Sequence, residues 1–113
     1  MPSKIPSIEF TSEFKRNLKS LSKKYRNIRS DVEPVIAQLQ KGSLPGDQIP
    51  RTGYALFKVR IQNRDTRKGK RGGYRLIYYL KTAEHIFLLT IYSKLDQADI
   101  SPEQLRRIIE ETP

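Results

Sequence analysis

Three short stretches place a cation or a phenol at alternate positions: Lys58 and Arg60, then Arg75, then Tyr92 and Lys94. Alternate residues of a strand share one face, so three neighbouring strands would bring these five side chains to one groove. Such a set suits an anionic phosphodiester. The planar fork of arginine matches phosphate oxygens and stabilises the crowded anion formed when a ribose 2′-hydroxyl attacks phosphorus. A lysine whose pKa is lowered by neighbouring cations can take the hydroxyl proton, and a tyrosine or a second lysine can protonate the leaving oxygen. Tyrosine rings also stack unpaired bases, which is the part expected of Tyr74, although tyrosine is equally an ordinary strand residue.

The rest of the catalytic repertoire is thin. His85 is the single histidine and falls beside Glu84 in a turn, where an exposed structural histidine is expected. There is no cysteine, so disulfides and thiolate metal sites are excluded. No metal site and no cofactor is expected, and Asp96, Asp99 and Glu103 read as ordinary acids on the approach to a helix. The run Gly69 to Gly73 does not complete the G-x-x-x-x-G-K-[S/T] pattern of a phosphate-binding loop and precedes a strand rather than a helix.

Charge sharpens the reading. The 113 residues carry 22 Lys plus Arg against 12 Asp plus Glu, a net charge of +10. Residues 51–75 hold nine of the basic side chains and one acid, Asp65. A local excess of this kind attracts polyanions and speeds their capture. Within it, Arg64, Arg67, Lys68, Lys70 and Arg71 fall on a polar connection and read as a docking surface rather than as chemistry.

The elements that would position these residues follow from periodicity. Ile5 to Phe10 alternates as a first strand. Thr11 can cap a helix whose apolar positions are Phe14, Leu18, Leu21 and Tyr25. A second helix is expected from Ser30 or Asp31, which would keep Pro34 in its first turn, and Gly42 ends it. Gly42 to Gly53 reads as a loop. Phe57, Val59 and Ile61 then alternate with Lys58, Arg60 and Gln62, giving a strand with one apolar and one cationic face. Tyr74 to Leu80 and Ile86 to Ser93 are further strands, and Ser101-Pro102-Glu103-Gln104 opens a last short helix with a capping box. The expected fold is α+β: an antiparallel sheet of about four strands, covered on one face by helices, two of them N-terminal, with a short C-terminal helix. Residues 1–113 read as one domain. No signal-like apolar segment opens the chain and its longest apolar run is Leu76 to Leu80, so a cytoplasmic protein is expected.

The phrases Phe57-Lys58-Val59-Arg60-Ile61, Gly73-Tyr74-Arg75-Leu76-Ile77-Tyr78-Tyr79 and Leu89-Thr90-Ile91-Tyr92-Ser93-Lys94, with Ile8-Glu9-Phe10-Thr11 before them, resemble the RelE/ParE superfamily of toxins from type II toxin–antitoxin modules. Their order and spacing are nearest to the RelE/HigB-like branch. The resemblance implies a compact α+β toxin that cuts mRNA on the translating ribosome without a metal, and a neighbouring antitoxin that neutralises it. It assigns Lys58, Arg60 and Arg75 to the site, with Tyr92 and Lys94 completing it and the basic connection meeting ribosomal RNA. The chain departs from RelE-type members at Leu95, where they carry a second arginine, and near Ser101, where they carry a tyrosine. Two other readings stay open: a gyrase-poisoning toxin of the ParE branch, and an RNA- or ribosome-binding module without catalysis.

Overall fold

The computed structural model describes residues 5–66 and 72–112. β1 (Ser7–Phe10) leads into α1 (Ser12–Lys24), and Thr11 makes the junction rigid. Its hydroxyl accepts the Phe14 N–H at 3.0 Å and lies 2.8 Å from the Leu89 carbonyl, to which it donates. One side chain therefore caps the helix and ties its start to the middle of the sheet.

α2 spans Ile28–Gln40, so Pro34 lies in its second turn rather than its first. The earlier start has a tertiary cause. Ile28 is fully buried, and the Asn27 N–H and side-chain amide both donate to Asp65, at 3.0 and 2.7 Å. These contacts hold an extra turn that local propensity does not demand. Gly42, at φ +86°, ends the helix in a left-handed conformation.

Among the described residues the sheet has five strands, in the order β1, β5 (His85–Ser93), β4 (Tyr74–Thr82), β3 (Leu56–Ile61) and β2 (Asp47–Gln48). Its centre is the antiparallel hairpin of β4 and β5, and β3 runs antiparallel to β4. The α+β class stands as expected, with two refinements. β1 pairs with β5 in parallel, which makes the sheet mixed, because α1 and α2 carry the chain away between them. Inside the segment expected to be a loop, Asp47–Gln48 forms a two-residue edge strand, β2, against Lys58 and Phe57.

Helices cover both faces, not one. Phe14, Ile28, Val32 and Leu39 of α1 and α2 pack with Val59, Ile61, Leu76, Tyr78, Ile86, Leu88 and Ile91. On the other face, α3 (Pro102–Glu110) lays Leu105 over Leu56, Ile77, Phe87, Leu89 and Tyr92. α3 has its own apolar stripe of Leu105, Ile108 and Ile109, and the second sheet face is the surface left to bury it.

A single irregularity sets which face the end of β5 presents. The β4–β5 register shifts between Ile77 and Tyr78, so that Thr90 faces Ile77, Leu88 faces Tyr78 and Leu89 is the extra residue. This bulge reverses the alternation of β5. Ile86 and Leu88 point toward α1 and α2 before it, and Ile91 does so after it, which sends Tyr92 to the opposite face.

Candidate active site

Arg60 of β3 stands opposite Arg75 of β4, and Arg75 stands opposite Tyr92 of β5. The three side chains form a row across adjacent strands. Lys58 lies two residues from Arg60 on the same strand and therefore on the same face. Lys94 follows β5 directly and is held by its backbone N–H, which donates to the Gly73 carbonyl at 2.9 Å. All five expected residues thus gather at the end of the sheet where β3 finishes and β4 begins.

Gly73 lets that corner close. A Cβ there would stand 2.0 Å from the Ile61 carbonyl oxygen, so only glycine allows β3 and β4 to approach just before Arg75. Like charges directly opposite on a sheet destabilise it. The Arg60–Arg75 pairing brings two cations side by side, where one anion can meet both. Arg75 is 6% exposed and donates to the Tyr74 carbonyl at 3.2 Å, while Arg60 is exposed.

Three of these side chains, Tyr92, Lys94 and Lys58, converge on Asp99, which the sequence offers only as an ordinary acid on the approach to a helix. Its Oδ1 accepts from the Tyr92 hydroxyl at 2.9 Å and from Lys94 Nζ at 3.0 Å, and lies 3.8 Å from Lys58 Nζ. The Lys94 hydrogen bond, followed by that of Tyr92, holds the Asp99 carboxyl below its usual range. Burial, and then the hydrogen bond to Asp99, pushes the Tyr92 phenol up to about 12. Tyr92 is therefore a neutral hydroxyl near neutral pH, able to donate a proton but unsuited to removing one. Asp96 secures the same segment on its other side, accepting from Lys24 Nζ at 2.7 Å and from the Tyr25 hydroxyl at 3.1 Å. The only sequence signal for this was an acid a few residues beyond a Tyr-x-Lys and just ahead of a capped helix.

The expected RNA-docking residues fare differently. Tyr74 is fully buried on the α1/α2 face, its ring edge-on to Tyr25 with centroids 5.8 Å apart. Burial raises its pKa, and its hydroxyl lacks a hydrogen-bond partner among the described residues. The stacking role expected of it has no exposed ring to act through, because neighbours on a strand point to opposite faces and Arg75 has the other one. The Arg64 guanidinium pairs through Nε with the buried carboxylate of Asp31 and donates to the Ser30 hydroxyl at 2.6 Å. Its backbone N–H also donates to Asp31 at 3.2 Å. Arg64 thus fastens the exit of β3 to α2. Arg67, Lys68, Lys70 and Arg71 lie outside the described residues.

His85 begins β5 and is exposed, its Nδ1 3.2 Å from the Thr82 hydroxyl, at the opposite end of the strand from Tyr92. Among the described residues, no helix is long and apolar enough to cross a membrane. A family model described as the RelE toxin of the RelE/RelB toxin–antitoxin system matches residues 14–111, from the first turn of α1 to the end of α3. An α+β sheet with a cationic corner and a sequence match over nearly its whole length make this chain a member of the RelE family, a toxin of a toxin–antitoxin system with an antitoxin as its partner.

Proposed function

We propose that this toxin is a ribosome-dependent endoribonuclease that cleaves translated mRNA with its own side chains. The observation that carries the reading is the in-register row Arg60–Arg75–Tyr92, with Lys58 and Lys94 beside it. Arg60 and Arg75 bind the non-bridging oxygens and stabilise the anionic phosphorane. One of the two lysines, as the neutral amine left when its ammonium proton has gone to solvent, takes the proton of the 2′-hydroxyl as its oxygen bonds to phosphorus. Tyr92 protonates the 5′ oxygen as the old P–O bond breaks, leaving a 2′,3′-cyclic phosphate and a 5′-hydroxyl. No step requires a metal. The Tyr-x-Lys at 92–94 favours a HigB-like arrangement over one built on a second arginine. Ribosomal RNA supplies the docking surface for the basic connection.

The test is reconstituted cleavage. Purified chain added to ribosomes carrying mRNA should produce discrete cuts, and Arg75→Ala should abolish them while circular dichroism and the melting temperature stay close to those of the wild type. Retained cleavage in Arg75→Ala would remove the row from the mechanism. Intact mRNA with trapped gyrase–DNA complexes would move the chain to the ParE mode of action.

A further inference from the structure

We propose that Asp99 is an internal anion standing where a phosphate oxygen of the substrate binds, so that RNA engages Lys58, Tyr92 and Lys94 by displacing it. All three contacts meet on one atom, Asp99 Oδ1: the Tyr92 hydroxyl at 2.9 Å, Lys94 Nζ at 3.0 Å and Lys58 Nζ at 3.8 Å. A phenolic O–H and two ammonium groups converging on one anionic oxygen are the donors that a phosphate oxygen accepts in the complex that precedes chemistry.

The donors and the occupant differ in how firmly they are held. Tyr92 is 3% exposed and locked between β4 and α3, whereas the Asp99 side chain is 52% exposed. Asp99 lies outside regular structure, between Asp96, which is anchored on Lys24 and Tyr25, and Ser101, which caps α3. Rotation of its side chain clears the oxygen site without moving either anchor. Half-exposed ion pairs contribute little to stability, so a multiply charged polyanion can outcompete this one. The carboxylate then acts as a built-in competitor: it keeps Tyr92 and Lys94 oriented in the free toxin and lowers apparent affinity by the fraction of molecules in which it occupies the site.

Only the identity of the displacing anion rests on the ribonuclease reading, so inorganic phosphate is the probe. Phosphate is titrated into the full chain and followed by NMR at the Tyr92 ring and the Lys94 ammonium. Asp99→Asn and Asp99→Ala should each bind phosphate about tenfold or more tighter than wild type, and Asp99→Glu, which restores a carboxylate, should lose most of that gain. Equal or weaker binding by both neutral variants, with melting temperatures unchanged, would overturn the proposal and leave Asp99 a positioning residue for Tyr92. The two readings fail separately. A gain in phosphate affinity in a chain that never cuts ribosome-bound mRNA supports the displaced carboxylate and sinks the ribonuclease. Cleavage by the wild type with no gain in the variants does the reverse.

Discussion

Tyr92 faces Arg75 across the β4–β5 ladder only because Leu89 is an extra residue in β5. Without that bulge, strict alternation from Ile86 and Leu88 would turn residue 92 toward α1 and α2, beneath the sheet rather than beside the cations. The catalytic assignment of Tyr92 rests on this reversal, and it can be examined directly.

Tyr92→Phe keeps the buried ring and removes only the hydroxyl that donates to Asp99. If that hydroxyl protonates the leaving oxygen, single-turnover cleavage should slow by about 100-fold or more, well beyond any loss of RNA affinity. The pH dependence gives a second handle. The folded phenol titrates at about 12 against an ordinary value of 10.0, so the folded state holds this proton more tightly than the unfolded chain does. Its contribution to stability is complete below pH 10 and declines as pH rises from there toward 12. Ultraviolet titration of the phenols near pH 10 should therefore give the same amplitude in wild type and in Tyr92→Phe. A smaller amplitude in the variant would mean that Tyr92 ionises as an ordinary tyrosine, which contradicts the buried, Asp99-bound geometry.

Arg64→Ala separates fastening from docking. The substitution leaves the Asp31 carboxylate, whose side chain is 2% exposed, without its cation. We expect a loss of about 1–3 kcal/mol, read as a lower melting temperature, because Asp31 Oδ1 then loses its charged donor while Oδ2 keeps only the backbone N–H of residue 64. The salt dependence of ribosome binding should change little. An unchanged melting temperature with weaker, less salt-sensitive binding would return Arg64 to the docking surface.

Tyr74→Phe should be neutral or mildly stabilising, by about 1 kcal/mol at most, because the hydroxyl it removes is buried and lacks a partner among the described residues. Cleavage should persist at the wild-type rate. A large loss of RNA affinity in this variant would show that the ring reaches RNA after all, which would require β4 to open away from Tyr25.

Much of this protein was legible in its sequence, and for local reasons. The period-two cations of Lys58 and Arg60, the Gly73-Tyr74-Arg75 turn into a strand, the Thr11 cap and the Ser101 capping box are each set by neighbours a few residues away. They were enough to establish an α+β fold and to collect the residues of the cationic corner. Alternation puts Tyr74 and Arg75 on opposite faces, against the stacking role the sequence suggests for Tyr74. What the tertiary structure alone decided was which face is which, and which distant groups meet there. The phase of β5 depends on a ladder that slips by one residue at Leu89, and no run of side chains announces a slip. The convergence on Asp99 and the Arg64–Asp31 fastening join groups from separate elements, placed by how α2 and α3 bury their apolar stripes on opposite faces of the sheet. A residue's own neighbours dictate its conformation, but its charge partner is whichever group the packed chain returns to its side.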